Sequence, residues 1–262
     1  MSDGVLHELL WYGGILAMGV VAGIVNTMVG AGTTLTLPLL VLVFGLPDQI
    51  ANATNRLAVV VQALAGTDTL RRARAGSLRD AIACAVAAGL GALPGSYLAS
   101  VLEGADFSTI MAWVLLAGVA MMFIAPARPP TIRSNVSGVR RAASWLTAFL
   151  FGLYGGFLGA GIGVLIMMVL PRLLGISLLN AVVVKTLMVL VLSASASVVF
   201  VWQGQVYWTC VVPLAIGNGF GGVIGARLAI KGGDKWIRIA VAVVGALLAL
   251  ALLTGWPPRP TR

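Results

Sequence analysis

The chain has 262 residues, of which 60% are hydrophobic and 10% are charged, and its mean hydropathy is +1.02. Soluble domains are about half apolar and about one quarter charged, so this composition excludes a soluble globular protein and indicates an integral membrane protein. The formal net charge is +9. In a membrane protein, Lys and Arg mainly set the orientation in the bilayer, so this charge does not indicate nucleic-acid binding, and the expected partner is the lipid bilayer.

Apolar segments follow one another along the whole chain. They are predicted at residues 9–28, 33–46, 52–69, 81–101 and 108–126 in the first half, and at 142–158, 162–174, 178–199, 208–229 and 238–255 in the second. Most approach the about 20 residues that a spanning helix needs. The predicted organisation is an N-terminal transmembrane repeat at 1–126, a basic cytoplasmic linker at 127–141 and a C-terminal repeat at 142–262. No basic segment precedes residue 9, so a cleaved signal peptide is not expected.

Two glycine-rich stretches occupy matching places in the two halves. Residues 23–40 read GIVNTMVGAGTTLTLPLL, and residues 152–170 read GLYGGFLGAGIGVLIMMVL. Their alignment places Gly30, Ala31 and Gly32 on Gly159, Ala160 and Gly161. A helix interrupted at membrane depth exposes backbone N–H and C=O groups that only protein or a water-filled cavity can satisfy. The two turns therefore predict broken helices that surround a site.

The second element of each half is short. About 14 residues rise only about 20 Å, which is less than the about 30 Å hydrocarbon core. The first two elements of each half therefore form either a hairpin that enters and leaves on one side or two tilted helices that meet at a glycine turn. Both interpretations leave an odd number of crossings per half, which would invert the second half relative to the first.

The charge pattern also predicts inversion. Basic residues follow the third element of the first half (Arg71, Arg72, Arg74, Arg79), whereas the corresponding segment 202–208 of the second half carries no charge. After the fourth element the contrast reverses: residues 101–106 carry Glu103 and Asp106, and the second half carries Lys231, Lys235 and Arg238. Because Lys and Arg accumulate in cytoplasmic loops, we predict an all-α membrane protein of two inverted repeats, each of about five helical elements, with both termini periplasmic. Such repeats are typical of secondary transporters.

The candidate site combines helix N-termini with two cations inside spans. A helix N-terminus offers unpaired N–H groups and the positive end of its dipole, which attract anions. Arg56 and Lys185 lie within apolar elements, where cations are costly and usually functional. The predicted anion-binding residues are Gly30, Ala31, Gly32, Thr33, Thr34, Asn52, Thr54, Asn55, Arg56, Gly159, Ala160, Gly161, Gly163 and Lys185. The alternatives are close helix packing at the glycines and extension of both cations to the membrane interface.

Other chemistry finds little support in the sequence. His7 is the single histidine and lies outside the spans, while Cys84 and Cys210 lie in apolar segments and are expected to be buried thiols. No cluster of histidine, cysteine or carboxylate lies inside the spans, so we expect no metal, no cofactor and no enzyme activity. Asp68 precedes Arg71 and Arg72 by three and four residues, which predicts an ion pair at a helix end. A coupling proton or ion and a homodimer stay open.

The stretch GAGTTLTLP at residues 30–38, followed by an Ala-x-x-Thr entry at residues 51–54, resembles the sulfite exporter TauE/SafE family over about residues 19–253. The resemblance implies a permease of the bacterial inner membrane that moves sulfite, organosulfonates or related organic acids without a tightly bound cofactor. The family's glycine-rich turn falls on Gly30, Ala31 and Gly32, and its repeat on Gly159, Ala160, Gly161 and Gly163. The chain departs from the pattern at Thr33 and Thr34, where the family often has more glycine, and at Lys185 and Thr186.

The sequence-based hypothesis is thus a secondary transporter, expected to be an exporter, that carries a small anion by alternating access between its two halves. An anion channel would share the pore chemistry but would need no alternating states. A membrane scaffold subunit without transport activity is the other alternative.

Overall fold

The computed structural model describes residues 3–73, 75, 78–102, 113 and 136–253, with side chains described for residues 8–73, 75, 81–102, 113 and 136–232. The element predicted at 108–126, apart from Trp113, and the linker predicted at 127–141, apart from residues 136–141, lie outside the described residues.

Every secondary-structure element in this described part is a helix. The helices are α1 (Asp3–Met28), α2 (Gly32–Leu42), α3 (Asp48–Arg72), α4 (Leu78–Val101), α5 (Gly138–Phe157), α6 (Ile162–Leu174), α7 (Leu178–Trp202) and α8 (Trp208–Leu253). They follow the predicted elements in order, and α6 has the predicted bounds. Four helical segments of this part are long and apolar enough to cross a membrane: Glu8–Met28, Ala81–Val101, Leu178–Trp202 and Trp208–Gly232. The all-helical membrane fold is therefore confirmed.

Local capping explains where two helices begin. Ser137 precedes α5 and its hydroxyl accepts from the Arg140 N–H at 3.4 Å, while Ser177 precedes α7 and accepts from the Asn180 N–H at 3.2 Å. A serine in this position satisfies one of the N–H groups that a helix leaves unpaired at its start. The cap starts α5 at Gly138, four residues before the predicted element at 142.

The predicted division of the last apolar region into elements at 208–229 and 238–255 is wrong, because α8 continues through 46 residues from Trp208 to Leu253. The intervening sequence IKGGDKWIR has two glycines and several charges but no proline. Glycine lowers helix propensity by about 1 kcal/mol without removing a backbone hydrogen bond, whereas proline would remove one. Polarity alone therefore did not end the helix.

Glycines bring helices of the two halves into backbone contact. A Cβ on Gly23 of α1 would lie 2.6 Å from the Asn218 carbonyl oxygen, and one on Gly19 would lie 2.8 Å from that of Leu214. Residue numbers rise together along the contact, so α1 and α8 run parallel. On α4, a Cβ on Gly91 would lie 2.1 Å from the Phe149 carbonyl oxygen. Gly95 contacts residues 153–157 in the same way, so α4 and α5 are also parallel.

The remaining long helices join these two pairs. Near the starts of α3 and α8, the Tyr207 N–H donates to the Thr54 hydroxyl at 3.0 Å, and further along a Cβ on Gly222 would lie 2.4 Å from the Gln62 carbonyl oxygen. α3 therefore runs parallel to α8. Near the ends of α4 and α7, the Gln205 amide donates to the Ser100 carbonyl at 2.8 Å, and Gly89 faces Val191, so these helices are parallel.

Helices α3 and α7 cross in opposite directions. Leu70 near the end of α3 and Ala181 near the start of α7 belong to one hydrophobic cluster, and Ala53 near the start of α3 and Phe200 near the end of α7 belong to another. Hence α1, α3 and α8 run in one direction, and α4, α5 and α7 run in the other.

The helix directions define two ends of the molecule. The first end holds the starts of α1, α3 and α8 and the ends of α4 and α7. α2 also returns to it, because the Phe44 ring after α2 contacts the Trp11 ring edge-on with centroids 5.5 Å apart. At its start, a Cβ on Gly32 would lie 2.3 Å from the Ala22 carbonyl oxygen. α1 and α2 therefore form an antiparallel hairpin that begins and ends at the first end.

The second end holds the end of α3 and the starts of α4, α5 and α7, and it carries the basic residues. The arginine and lysine side chains that the structure describes, apart from those of Arg56 and Lys185, all lie there: Arg71, Arg72, Arg140, Arg141, Arg172, Arg227 and Lys231. The first end carries Glu8 and Asp48, with no described basic side chain. The predicted ion pair is confirmed, since Asp68 Oδ2 lies 2.8 Å from Arg72 Nε.

The close contact of α4 and α5 predicts that Gly152→Ala destabilises the protein. A Cβ there would lie 2.0 Å from the Ala88 carbonyl oxygen, and overpacking of this kind typically costs about 1–3 kcal/mol. The melting temperature in detergent should therefore fall. Gly13→Ala in α1 is the matched control, because its Cβ meets nothing within 4 Å. Equal melting temperatures for the two variants would contradict the described packing.

Candidate functional site

Both predicted helix interruptions are present. α1 ends at Met28 and α2 begins at Gly32, with Gly30 between them at φ 91°. α5 ends at Phe157 and α6 begins at Ile162, with Gly159 at φ 68° and Gly161 at φ 70°. Positive φ favours glycine because it lacks Cβ. The prediction of broken helices at the glycine turns is thus confirmed.

The two turns end their helices with the same hydrogen bond and then meet. The Gly30 N–H donates to the Val25 carbonyl at 3.2 Å, and the Gly159 N–H donates to the Tyr154 carbonyl at 3.3 Å, five residues back in each case. A Cβ on Gly30 would lie 2.2 Å from Gly163 Cα, and a Cβ on Gly163 would lie 2.3 Å from Gly30 Cα. Only two glycines permit this approach, which brings the N-terminal ends of α2 and α6 together.

The structure buries the whole predicted set of site residues. The buried residues are Gly30, Ala31, Gly32, Thr33, Thr34, Asn52, Thr54, Asn55, Arg56, Gly159, Ala160, Gly161, Gly163 and Lys185. The two glycine turns and the two cations are therefore all shielded from solvent.

Arg56 lies against the second glycine turn. Because α3 begins at Asp48, Arg56 is deeper than the predicted start at residue 52 implied, about 12 Å along the helix. Its side chain is 1% exposed and its head group does not reach the surface. A Cβ on Gly159 would lie 2.1 Å from Arg56 Nη1 and 2.3 Å from Nη2. A guanidinium of the first half therefore packs directly on the turn of the second half.

Several polar atoms of this arginine and of two asparagines in the preceding turn of α3 have no hydrogen-bond partner. They are Arg56 Nε and Nη2, Asn55 Nδ2 and Asn52 Oδ1, all buried. Their other atoms are fixed: Asn52 Nδ2 donates to the Phe157 carbonyl at 3.0 Å, and Asn55 Oδ1 accepts from the Thr36 hydroxyl at 3.0 Å. A buried polar atom without a partner costs about 1–3 kcal/mol, and a charged one costs more. The N–H groups of Arg56 and Asn55 can therefore donate hydrogen bonds to a bound anion.

Lys185 contacts the first half of the chain. Its side chain is 1% exposed, and Nζ donates to the carbonyl oxygens of Asn26 at 2.8 Å and Thr27 at 2.5 Å. These carbonyls lie in the last turn of α1, where a helix leaves C=O groups unpaired and its dipole favours a cation. The same offset of 129 residues separates Gly30 from Gly159 and Arg56 from Lys185. Each cation thus reaches the broken helix of the opposite half.

Thr54 was predicted to line the site with Asn55 and Arg56, and its hydroxyl contacts another part of the chain. Its hydroxyl accepts from the Tyr207 N–H at the first end, where it links α3 to the turn before α8. It is buried, but this bond directs it to a contact between helices and away from the unpaired atoms of Asn55 and Arg56.

Other residues of the region were not predicted. The Gln62 side chain accepts from Asn26 Nδ2 and donates to the Thr27 hydroxyl, both at 2.6 Å, and so holds the end of α1 that Lys185 binds. The Tyr154 hydroxyl donates to the Ala160 carbonyl at 2.5 Å and braces the second turn. Tyr154 lies inside the aligned glycine stretch, and this position could have indicated its role. An aromatic residue in an apolar segment is usually interpreted as a packing residue.

No buried carboxylate accompanies the two cations among the side chains described. The carboxylates of that part, Glu8, Asp48 and Asp68, lie near helix ends and none is buried. The same part of the chain contains no group of three histidine, cysteine, aspartate or glutamate residues that could hold a metal ion. The thiols of Cys84 and Cys210 are buried, as predicted.

The fold and the site define a helical membrane protein with two broken helices that meet at a basic interior. Residues 15–252 match the family described as Sulfite exporter TauE/SafE. Because this match covers most of the chain, the protein belongs to that family, and the resemblance found in the sequence is confirmed.

Relatives of similar length carry names that indicate transport. A "Probable membrane transporter protein ORF9" from Sinorhizobium sp is 27% identical, covering 100% of this chain and 98% of the relative. A "Probable membrane transporter protein" from Haemophilus influenzae is 25% identical (92% and 95% covered), and "YunE" from Bacillus subtilis is 23% identical (91% and 96% covered). No solved structure matches the chain significantly.

The contact between the two turns predicts that Gly30→Ala lowers the melting temperature more than Gly45→Ala does. Both residues have positive φ, at 91° and 68°, so both substitutions cost about the same backbone strain. Only the new methyl group at position 30 would collide with Gly163, since nothing lies within 4 Å at position 45. Thermal unfolding in detergent measures the difference. Equal losses in the two variants would mean that the turns are not in contact.

Proposed function

We propose that this protein is a secondary transporter that exports a small anion, such as sulfite, an organosulfonate or a related organic acid, by alternating access. The observation that carries the proposal is the burial of Arg56 and Lys185 at the two glycine turns, with no buried carboxylate in the described part of the chain. Family membership and the relatives' names support membrane transport. The anion and the direction are our proposal.

Electrostatics favours an anion at this place. A cation in the centre of a membrane costs about 3 kcal/mol even on lenient scales, and an opposite charge beside it offsets this cost. The unpaired N–H groups of Arg56 and Asn55 are donors that suit a carboxylate, sulfite or sulfonate oxygen, and arginine binds such groups with two parallel hydrogen bonds. The meeting N-termini of α2 and α6 add their positive dipole ends.

The helix directions support two inverted halves. α1, α3 and α4 of the first half correspond to α5, α7 and α8 of the second, and each helix runs opposite to its counterpart. The pairs α1 with α8 and α4 with α5 are then equivalent contacts under one two-fold relation. In transporters built this way, one half rocks against the other around a site near the midplane.

The basic second end supports an orientation. Since Lys and Arg are enriched in cytoplasmic segments, we place the second end in the cytoplasm and the first end, with the N terminus, in the periplasm of a bacterial inner membrane. The periplasmic position of the C terminus stays a prediction from the sequence.

The rival hypotheses, an anion channel and a scaffold without transport, give different results in one assay. The purified protein in proteoliposomes should show counterflow, in which trapped unlabelled anion accelerates uptake of radiolabelled sulfite, isethionate or acetate. A channel with no alternating states shows no counterflow, and a scaffold shows no flux. Absence of counterflow with every anion of the panel would reject the proposal.

Arg56→Gln should raise the anion concentration that gives half-maximal counterflow by about tenfold to a hundredfold, because hydrogen bonds to a charged group contribute about 1.5–3 kcal/mol. Arg71→Gln removes the same charge from the exposed end of the same helix and should leave counterflow within about twofold, since surface charges contribute little. Melting temperatures identify a variant that fails to fold. A folded Arg56→Gln protein with wild-type counterflow would remove Arg56 from the site.

Cysteine labelling in intact cells tests the orientation. A membrane-impermeant maleimide should label Gln203→Cys at the first end directly and Ala73→Cys at the second end only after permeabilisation, because both positions are exposed at opposite ends. The two native thiols are fully buried and supply the unlabelled background. The reverse labelling pattern would invert the proposed orientation.

A further inference from the structure

The two buried cations have unlike surroundings. Arg56 leaves Nε and Nη2 without partners, whereas Lys185 Nζ is bonded to the carbonyls of Asn26 and Thr27. The anion needs free donors, and Arg56 supplies them. Lys185 is therefore available for a different task from the one its equivalent position suggests.

An amine and a guanidinium differ in what they can do with a proton. A guanidinium keeps its charge in proteins, whereas a lysine amine can release a proton. The Lys185 amine donates two hydrogen bonds to backbone oxygens. A neutral amine still has two N–H groups, so both bonds can persist when the third proton leaves. The contact with α1 therefore accommodates the charged and the neutral forms.

Among the described side chains, no buried carboxylate lies on a helix packed against α7 to keep Lys185 charged. Several helices pack against α7. Among the described residues, four titratable side chains on these helices are buried or half-buried away from the helix ends: Arg56 on α3, Cys84 on α4, Tyr154 on α5 and Cys210 on α8. The half-buried charged groups at helix ends are Asp48 and Asp68 on α3, Arg140 on α5 and Arg172 on α6. Asp68 is 43% exposed and paired with Arg72, so it is a poor site for a coupled proton.

We propose, on the basis of the proposed function, that Lys185 is the proton-binding site of the transport cycle. One proton binds the lone pair of neutral Lys185 Nζ from water on one side while one anion binds at Arg56. After the change of access, the anion leaves, and the ammonium group gives its proton to water on the other side and keeps the electron pair on nitrogen. No other reactant is needed, and one proton moves with one anion in the same direction.

Proximity explains the coupling. Gln62, which binds the same α1 turn as Lys185, is six residues beyond Arg56 on α3, or about 9 Å along the helix. Protonation of Lys185 makes the anion site more positive, and a bound anion stabilises the protonated amine, so each event favours the other reciprocally. Without the anion, repulsion from Arg56 favours release of the proton. The combined step is electroneutral, so export proceeds when the outward concentration gradient of the anion exceeds the opposing inward gradient of the proton.

Proteoliposomes separate coupling from transport. The potential is clamped at zero, the outside is made one pH unit more acidic than the inside, and the probe is radiolabelled isethionate or sulfite, whichever wild-type counterflow shows to be carried. The wild-type protein should accumulate the probe up to roughly tenfold, the limit for one proton per anion. Lys185→Arg, which keeps a permanent charge, should abolish accumulation, while its counterflow, measured in parallel, is reduced less. Lys231→Arg at the exposed second end is the matched control and should accumulate the probe as the wild type does.

Each outcome has a distinct meaning. Accumulation by a folded Lys185→Arg protein, or wild-type counterflow without accumulation, would overturn the proton site and leave the proposed function intact. Absence of wild-type counterflow would reject the proposed function and, with it, this inference.

A binding measurement covers the case in which Lys185→Arg does not fold. Titration calorimetry of the detergent-purified protein in two buffers of different ionisation enthalpy counts the protons taken up when the anion binds. At a pH where Lys185 is neutral in the free protein and protonated in the anion complex, the wild type should take up close to one proton per anion, and Lys185→Gln should take up none. Equal proton uptake in the two proteins would overturn the proposal.

Discussion

The structure depends on two positive charges held inside a membrane protein. Arg56 and Lys185 are each 1% exposed, and the described part of the chain buries no carboxylate to balance them. Such an interior is costly unless backbone carbonyls, helix dipoles or a bound anion offset the charge. Carbonyls at the end of α1 do this for Lys185, while Arg56 keeps unpaired donors. The difference between the two environments leads to an anion site at one cation and a proton site at the other.

Glycine makes this interior possible. The turns touch because Gly30 and Gly163 have no side chain, and Gly159 leaves room for the Arg56 guanidinium. Away from the site, rows of glycine on α1 and α8, and on α4 and α5, bring backbones of the two halves together. In a membrane such close contacts replace the hydrophobic effect as the force that holds helices together. Helices of the two halves therefore alternate in the structure, and each half supplies a cation that contacts the broken helix of the other half.

Much of this could be predicted from sequence because membrane helices obey simple length rules. Apart from α8, the apolar segments predicted the order of the described helices and their bounds to within about six residues, and the repeated Gly-Ala-Gly core predicted the position of both breaks. The prediction failed at α8, where a polar segment with two glycines did not end the helix, since its backbone hydrogen bonds could continue. The role of Thr54 in the site stays a prediction, and its hydroxyl accepts from the Tyr207 N–H, a contact that its position in the sequence did not indicate.

The sequence by itself determined the helical membrane fold, the two interruptions and the presence of two cations at equivalent places, since hydropathy, glycine and charge act locally. Only the tertiary structure decided that Lys185 binds α1, that Arg56 lies on Gly159, and that Gln62 and Tyr154 support the two turns. Those contacts join residues separated by 35 positions or more in most cases. Helix pairing sets them, and an apolar surface carries almost no information about which other apolar surface it will meet.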